Sequence, residues 1–166
     1  IGERGTGAID FAQVATIETE CIYPERAWCG FNTISGTLPR VMVSCENLGA
    51  YIDLDVRDDV LLVYSPGADA DAAIALLRLL PAVPWLHFGD LDPEGLAIGE
   101  QMAKKLGREA KPLIPTFAED YLDAAQPTPT RWDKFPEHPF FRRLKQDRKR
   151  IFQEIFVLDE RLQSEI

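Results

Sequence analysis

Three short apolar runs mark the middle of the chain: Val41-Met42-Val43-Ser44-Cys45, Val60-Leu61-Leu62-Val63-Tyr64 and Pro84-Trp85-Leu86-His87-Phe88. Runs of this length that are apolar at both parities are expected of strands covered on both faces. Between and after them the period changes. Asp69 to Leu80 is rich in Ala and Leu, and Pro93 to Leu106 opens with Asp92 as cap and proline at the first helical position, so both predict helices. A shorter strand near Lys111 to Ile114 and a helix from Phe117 to Ala125 continue the alternation, and Gln126 to Pro129 ends it with two prolines. Strand and helix in turn imply an α/β fold, a mostly parallel, doubly wound sheet flanked by helices.

The two ends have different patterns. Gly2, Gly5 and Gly7 predict a loose N-terminus, after which Val14 to Tyr23 and Trp28 to Ile34 form two β-rich runs around a Pro24-Glu25 turn, an N-terminal β-hairpin. From about Phe140 to Leu162, the residues Leu144, Ile151, Ile155, Leu158 and Leu162 recur at three- and four-residue spacings, with Arg148 interrupting them. That pattern predicts one long C-terminal amphipathic helix docked on the core. The expected organisation is an extension with the hairpin over 1–40, a core over 41–125, and a linker with the amphipathic helix over 126–166. A chain of 166 residues that is 46% apolar can bury one continuous core, so a single domain is the default. Its first residue is Ile1 rather than Met, which reads as a piece of a longer protein.

Composition then narrows the function. No run approaches the roughly 18–20 apolar residues that span a bilayer, and no signal peptide is visible, so a cytoplasmic protein without membrane contact is expected. Cys21, Cys29 and Cys45 are odd in number and lack CxxC spacing, which disfavours a disulfide framework and a zinc cluster; Cys45 is expected to be buried in its strand. The net charge of −9 opposes nucleic-acid binding, which draws on Lys and Arg to neutralise phosphates. The basic charge is instead local: Arg142, Arg143, Lys145, Arg148, Lys149 and Arg150 stand against the single acid Asp147. This cluster is either a phosphate-binding strip or a solvated helix face.

Ligands of open α/β sheets bind beyond the carboxyl ends of the strands. There the chain shows Glu46-Asn47, Ser65-Pro66-Gly67 and Gly89-Asp90-Leu91-Asp92. In extended backbone, side chains at i and i+2 point the same way, so Asp90 and Asp92 present two carboxylates together, with Glu46 placed to face them from another strand. Three converging carboxylates repel unless a cation joins them, and hard oxygen ligands suit Mg²⁺ or Mn²⁺. Structural roles compete for the same residues: Asp92 as an N-cap, Glu46 as a surface or capping acid, Asn47 as the start of the next helix. Gly49, Gly67, Gly89 and Gly95 suit close approach of backbone to a phosphate, or simply turns. Asp90, two residues before the cap, has no such structural account. His87 reads as a satisfied core histidine, and His138 shares no ligand spacing with it. Neither a nucleophile elbow nor a P-loop is present.

The order Cys45-Glu46-Asn47, Ser65-Pro66-Gly67 and Phe88-Gly89-Asp90-Leu91-Asp92-Pro93-Glu94-Gly95-Leu96, each after a strand, resembles the Toprim domain. The last nine of these residues resemble the JetD C-terminal family of the bacterial Wadjet anti-plasmid system, related to the A subunit of topoisomerase VI, whose Toprim domain pairs one Glu with an Asp-x-Asp. The resemblance covers about residues 41 to 125. Leu144-Lys145-Gln146-Asp147-Arg148 further resembles a Leu-Glu-Gln-Glu-Arg element of that family's C-terminal helix, with Lys145 in place of the first acid and Asp147 as an additional candidate. The resemblance implies a Toprim-like (Rossmann-like) fold and an Mg²⁺- or Mn²⁺-dependent endodeoxyribonuclease, with Glu46, Asp90 and Asp92 as catalytic and metal-binding residues. It also implies closed-circular plasmid DNA as substrate and a condensin-like SMC complex as loader; a second copy of the chain is a further expected partner.

Topoisomerase VI relatives attack instead with a tyrosine on a separate winged-helix domain. No such domain is recognisable, and Tyr23, Tyr51, Tyr64 and Tyr121 lie in strand or helix patterns, so hydrolysis is favoured over strand passage. The alternatives are a topoisomerase VI A-like DNA-cleaving component and a non-catalytic Toprim-like docking or DNA-binding module, which the overall acidity fits. A haloacid-dehalogenase-type phosphatase wants Thr or Val two residues beyond the second Asp, after the first strand; here that position is Glu94, after the third.

Overall fold

The computed structural model describes residues 2–4, 7–9, 31–67, 69–109, 111–130 and 138–166. Gly2 and Gly7 stand in strands rather than loose coil, and Gly5 lies outside the described residues: β1 (Gly2–Arg4) and β2 (Gly7–Ile9) pair antiparallel, and β3 (Phe31–Ile34) pairs with the other edge of β1. Backbone pairing needs no side chain, so glycine in a short ladder does not prevent it. The expected strand Val14 to Tyr23, its Pro24-Glu25 turn, and Trp28 to Gly30 lie outside the described residues. Phe31–Ile34, the end of the second expected run, is extended as predicted.

The central sheet follows the apolar runs. β4 (Val41–Cys45), β5 (Val60–Tyr64), β6 (Trp85–Phe88) and β7 (Lys111–Pro112) lie in the order β5-β4-β6-β7, and every adjacent pair is parallel. Each crossover carries a helix: α1 (Leu48–Asp53), α2 (Asp71–Arg78) and α3 (Pro93–Leu106). The chain steps outward from β4 to β5, then returns past β4 to β6 and β7. This mixed α/β, Rossmann-like order therefore reverses at β4 and β6, where such sheets open a crevice at their carboxyl edge.

Both faces of the sheet are covered, as apolar residues at both parities require. Met42 and Trp85 are buried with Ile74 and Leu77 of α2 and Met102 of α3. Val41, Val43, Cys45 and Phe88 pack on the other side with Ala50 of α1 and with Phe140, Phe141, Leu144, Ile151, Phe156 and Leu162 from the last part of the chain.

That last part is not the single long helix that its spacing predicts. After a 3-10 helix (Ala118–Ala124) and β8 (Gln126–Pro127), α4 (Pro139–Asp147) ends at Arg148, which adopts the left-handed conformation at φ 51°. β9 (Lys149–Arg150) then pairs antiparallel with β8, Ile151 forms a bridge with Leu91, and two short helices follow, α5 (Glu154–Val157) and α6 (Arg161–Glu165). The backbone groups that would have continued the helix are taken by other segments: Thr128 N–H donates to Arg148 O at 2.9 Å, and Leu91 N–H to Ile151 O at 2.9 Å. Leu144, Ile151 and Leu162 are buried one by one, whereas Leu158, the residue that completed the stripe, is 84% exposed.

Candidate functional site

The carboxyl ends of β4 and β6 lie side by side, and each delivers an acid. Cys45 pairs with Phe88, and the N–H of Glu46 still donates to the Phe88 carbonyl at 3.1 Å, so Glu46 stands opposite Gly89. A Cβ on Gly89 would lie 2.9 Å from Glu46 Oε2; glycine there lets the carboxylate lean over the neighbouring strand. That Oε2 is buried without a hydrogen-bond partner among the described residues. Asp90 is held from the opposite side, its Oδ1 accepting from the backbone N–H of Gln153 at 2.9 Å. Gly95, in the first turn of α3, passes so close that a Cβ on it would lie 2.4 Å from the Asp90 carbonyl oxygen. Asp92 is buried; its Oδ1 accepts from the N–H groups of Glu94 and Gly95 at 2.8 and 2.9 Å, and its Oδ2 lies 3.6 Å from Arg150 Nη1. The capping role read for Asp92 is thus present, and it occupies one of the two oxygens.

The acids also act on one another through charge. Burial first, and then the negative charge of Asp90, Asp92, Glu94 and Glu154, pushes the Glu46 carboxyl up to about 7. Burial also pushes Asp90 up, to about 6, with Asp92 and Glu154 adding to the rise while the Gln153 N–H and Arg150 oppose it. Among the described residues no three His, Cys, Asp or Glu side chains are already gathered as a ligand set. Glu46, Asp90 and Asp92 share one edge and one field, but Asp90 and Asp92 each give an oxygen to backbone N–H groups.

Three further residues build the site, and apolar periodicity points to none of them in this role. Gln153 is fully buried; with its amide oriented so that nitrogen meets an acceptor and oxygen a donor, it donates to the Phe88 carbonyl at 3.1 Å and accepts from the Asn47 N–H at 3.0 Å, tying the ends of β6 and β4 together. Asn47 caps α1 as expected, accepting from Gly49 N–H at 2.7 Å, and its amide donates to Glu154 Oε1 at 2.6 Å. The sequence signal for Gln153 is masked because its segment has the spacing of a helix.

The six basic residues do not share one helix face. Arg142, Arg143 and Lys145 are exposed on α4, with Arg143 Nη1 3.1 Å from Glu119 Oε2, and Arg148 is the left-handed residue that ends it. Lys149 and Arg150 are half-buried in β9, and the Arg150 guanidinium lies 4.3 Å from the Phe152 ring centre while reaching Asp92. Arg150 therefore belongs to the acid site.

The remaining candidates are settled by their surroundings. His138 is exposed and caps α4. Cys45 is buried, and that burial pushes its thiol up to about 12, too high for a nucleophile; Cys21 and Cys29 lie outside the described residues. Tyr51 is in α1, Tyr64 in β5, and Tyr121 in the 3-10 helix with its hydroxyl donating to Asp159; Tyr23 lies outside the described residues. No helix among the described residues is long and apolar enough to cross a membrane.

The sequence model of one protein family, described as Wadjet protein JetD, C-terminal, matches residues 34–163. No curated protein matches the chain.

Proposed function

The chain belongs to the Wadjet JetD C-terminal family, and from that premise we propose that it is the DNA-cleaving module of an anti-plasmid system. The activity would be that of an Mg²⁺- or Mn²⁺-dependent endodeoxyribonuclease of Toprim type, hydrolysing phosphodiesters through Glu46, Asp90 and Asp92. The observation that carries this reading is the partnerless buried Oε2 of Glu46, set beside two more acids where the strand order reverses. An unpaired buried acceptor costs about 1–3 kcal/mol, more when it is charged, and a cation among these acids relieves both that cost and their mutual repulsion. The donor set is all carboxylate oxygen, which fits Mg²⁺ or Mn²⁺.

When bound, the ion supplies Lewis acidity toward a phosphate oxygen and lowers the pKa of water. The chain's own residues do the rest. Glu46, whose carboxyl pKa is pushed up to about 7, exchanges a proton with the attacking water or the leaving oxygen. Gln153 holds Asp90 and the two strand ends in place. Arg150 offers positive charge at the rim, and the exposed Arg142, Arg143 and Lys145 hold flanking phosphates together with Arg148 and Lys149. In this reading the partners are plasmid DNA in the cytoplasm, a condensin-like SMC complex that loads it within a multi-component defence assembly, and a second copy of the chain.

Purified chain with supercoiled plasmid is expected to nick it in Mg²⁺ or Mn²⁺. Asp90→Asn is expected to slow nicking roughly 100-fold or more. Equal nicking by the variant overturns the assignment. A second reading, a non-catalytic docking or DNA-binding module, is favoured by the net charge of −9 and by the lack of a gathered ligand set among the described residues. Titration calorimetry separates the two, since a docking module releases no heat with Mn²⁺ at neutral pH.

A further inference from the structure

Beneath Glu46 runs a line of buried polar side chains that the proposed chemistry leaves unused. Trp85 Nε1–H donates to Ser44 Oγ at 3.0 Å, and Ser44 Oγ lies 2.8 Å from His87 Nδ1. Ser44 and His87 face each other across β4 and β6, and all three residues are buried. An indole nitrogen only donates, so Ser44 accepts from Trp85 and keeps both a hydroxyl hydrogen and a second lone pair, and the Ser44–His87 contact runs in the direction that the ring's tautomer sets. Burial drives the imidazole pKa down to about 4, against the Gly95 backbone, which opposes the fall, so the ring is neutral and carries one N–H. When Ser44 gives its hydrogen to Nδ1, that N–H is on Nε2.

His87 Nε2 and Glu46 Oε2 are both buried atoms without a hydrogen-bond partner among the described residues. They border the same space. A Cβ on Gly89 would lie 3.0 Å from His87 Nε2 and 2.9 Å from Glu46 Oε2, and a Cβ on Gly99 would lie 2.8 Å from His87 Cδ2. Two glycines therefore make room for this ring, and the one between the orphan atoms leaves a donor on one side and an acceptor on the other. The core histidine expected from the sequence is buried as expected, meets Ser44 at Nδ1, and has the Gly95 backbone beside its ring.

We propose that His87 is a positioning residue for Glu46: its Nε2–H, in the tautomer in which Ser44 donates to Nδ1, reaches Glu46 Oε2 through one water and fixes the carboxylate beside Gly89. The inference deepens the nuclease reading and rests on it only for the use to which Glu46 is put. A ligand held by an outer partner is oriented before the ion arrives, and loss of such a partner typically weakens metal binding 10- to 100-fold.

Two measurements on the full chain decide it. Long-range ¹H–¹⁵N correlation spectra are expected to show His87 as the Nε2–H tautomer, with Ser44→Ala shifting the population toward Nδ1–H and Glu46→Gln moving the Nε2–H resonance. An Nδ1–H tautomer in the unaltered protein, or a resonance indifferent to Glu46→Gln, overturns the proposal. In Mn²⁺ titrations, His87→Phe is expected to lose affinity roughly tenfold or more, and His87→Gln, which restores an N–H donor at the ε position, to recover most of it. Unchanged affinity in folded His87→Phe overturns the proposal, and if that variant fails to fold the tautomer spectra still decide. Absence of Mn²⁺ binding in the unaltered chain removes the nuclease reading but not the hydrogen bond, which the spectra test separately.

Discussion

The two faces of the central sheet are covered in different ways. On one, α2 and α3 run eight and fourteen residues and pack as regular amphipathic helices. On the other, no covering helix among the described residues exceeds nine residues, and α1, the 3-10 helix, α4, α5 and α6 are stitched together by irregular backbone. The acids are gripped mainly from the irregular side. Asp90 is held by Gln153, 63 residues away; Asp92 is met by Arg150; and Asn47, next to Glu46, is met by Glu154. A doubly wound sheet brings strand ends together in any protein of this class. The irregular cover is what fastens these particular side chains, through Arg150, Gln153 and Glu154 of its segment after Asp147.

That division of labour is tested hardest by emptying each face in turn. Phe141 is fully buried on the irregular side, and Phe141→Ala is expected to cost about 3–5 kcal/mol in denaturant unfolding. Leu77, equally buried on the inner face of α2, is expected to cost about 2–5 kcal/mol as Leu77→Ala. The two should part company at the site. Phe141→Ala loosens the segment that carries Gln153 and Arg150 and so weakens Mn²⁺ binding by the folded protein, whereas Leu77→Ala leaves it unchanged. Equal Mn²⁺ affinity in both variants would mean that the irregular cover does not hold the site.

Gln153 probes the same point with a smaller perturbation. Gln153→Leu keeps the volume but leaves the Asn47 N–H without a partner and the Phe88 carbonyl with the Glu46 N–H alone, for an expected loss of roughly 1–3 kcal/mol. Because the backbone N–H of residue 153 remains, Asp90 keeps its hydrogen bond while the ends of β4 and β6 lose their tie. Urea unfolding measures the loss, and a neutral result would show that the sheet alone sets the spacing of those two ends.

The contrast between faces also explains what can be read from residues alone. Val41–Cys45, Val60–Tyr64 and Trp85–Phe88 are strands at or within a residue of the predicted bounds, because burial on both sides demands apolar residues at both parities. α3 begins at Pro93 with Asp92 as cap because those signals are local and need no tertiary partner. Glu46 and Asp90 were visible as acids beyond apolar strands, since such positions lie at a carboxyl edge whatever the strand order. The C-terminal segment departs from its predicted single helix for the converse reason. Arg148 turns left-handed and Lys149–Arg150 becomes a strand because Gln126, Pro127 and Leu91 provide pairing partners, and no local pattern encodes a partner tens of residues away. Gln153 sat in that segment, so its burial was invisible.

The weakest effect, and the most direct test of the shared field, is on the pH dependence of stability. Glu46 and Asp90 ordinarily titrate near 4.5 and 3.8, and in the fold they stand at about 7 and about 6. A carboxyl with a raised folded pKa binds its proton more tightly folded than unfolded. The stability it contributes is complete below the unfolded value and is lost as pH rises through the folded one. Protein stripped of divalent ions should therefore lose stability between about pH 4 and pH 7 on account of these two groups. Asp59 and Asp71, held low by Arg40 and Lys105, work in the opposite sense and lose their contribution as pH falls. The total curve thus mixes both, and the informative quantity is the difference in Tm between the unaltered chain and Glu46→Gln, which cannot titrate there. That difference should move in favour of the variant as pH rises toward neutrality, by a modest amount because water reaches and screens the half-buried carboxyl. Added Mn²⁺ should reverse the slope for the unaltered chain, since an ion competes with the same protons and binds more tightly as they leave. A difference curve flat from pH 4 to pH 7 in stripped protein would remove Glu46 from the common field and leave Asp90 and Asp92 as two separately fastened acids.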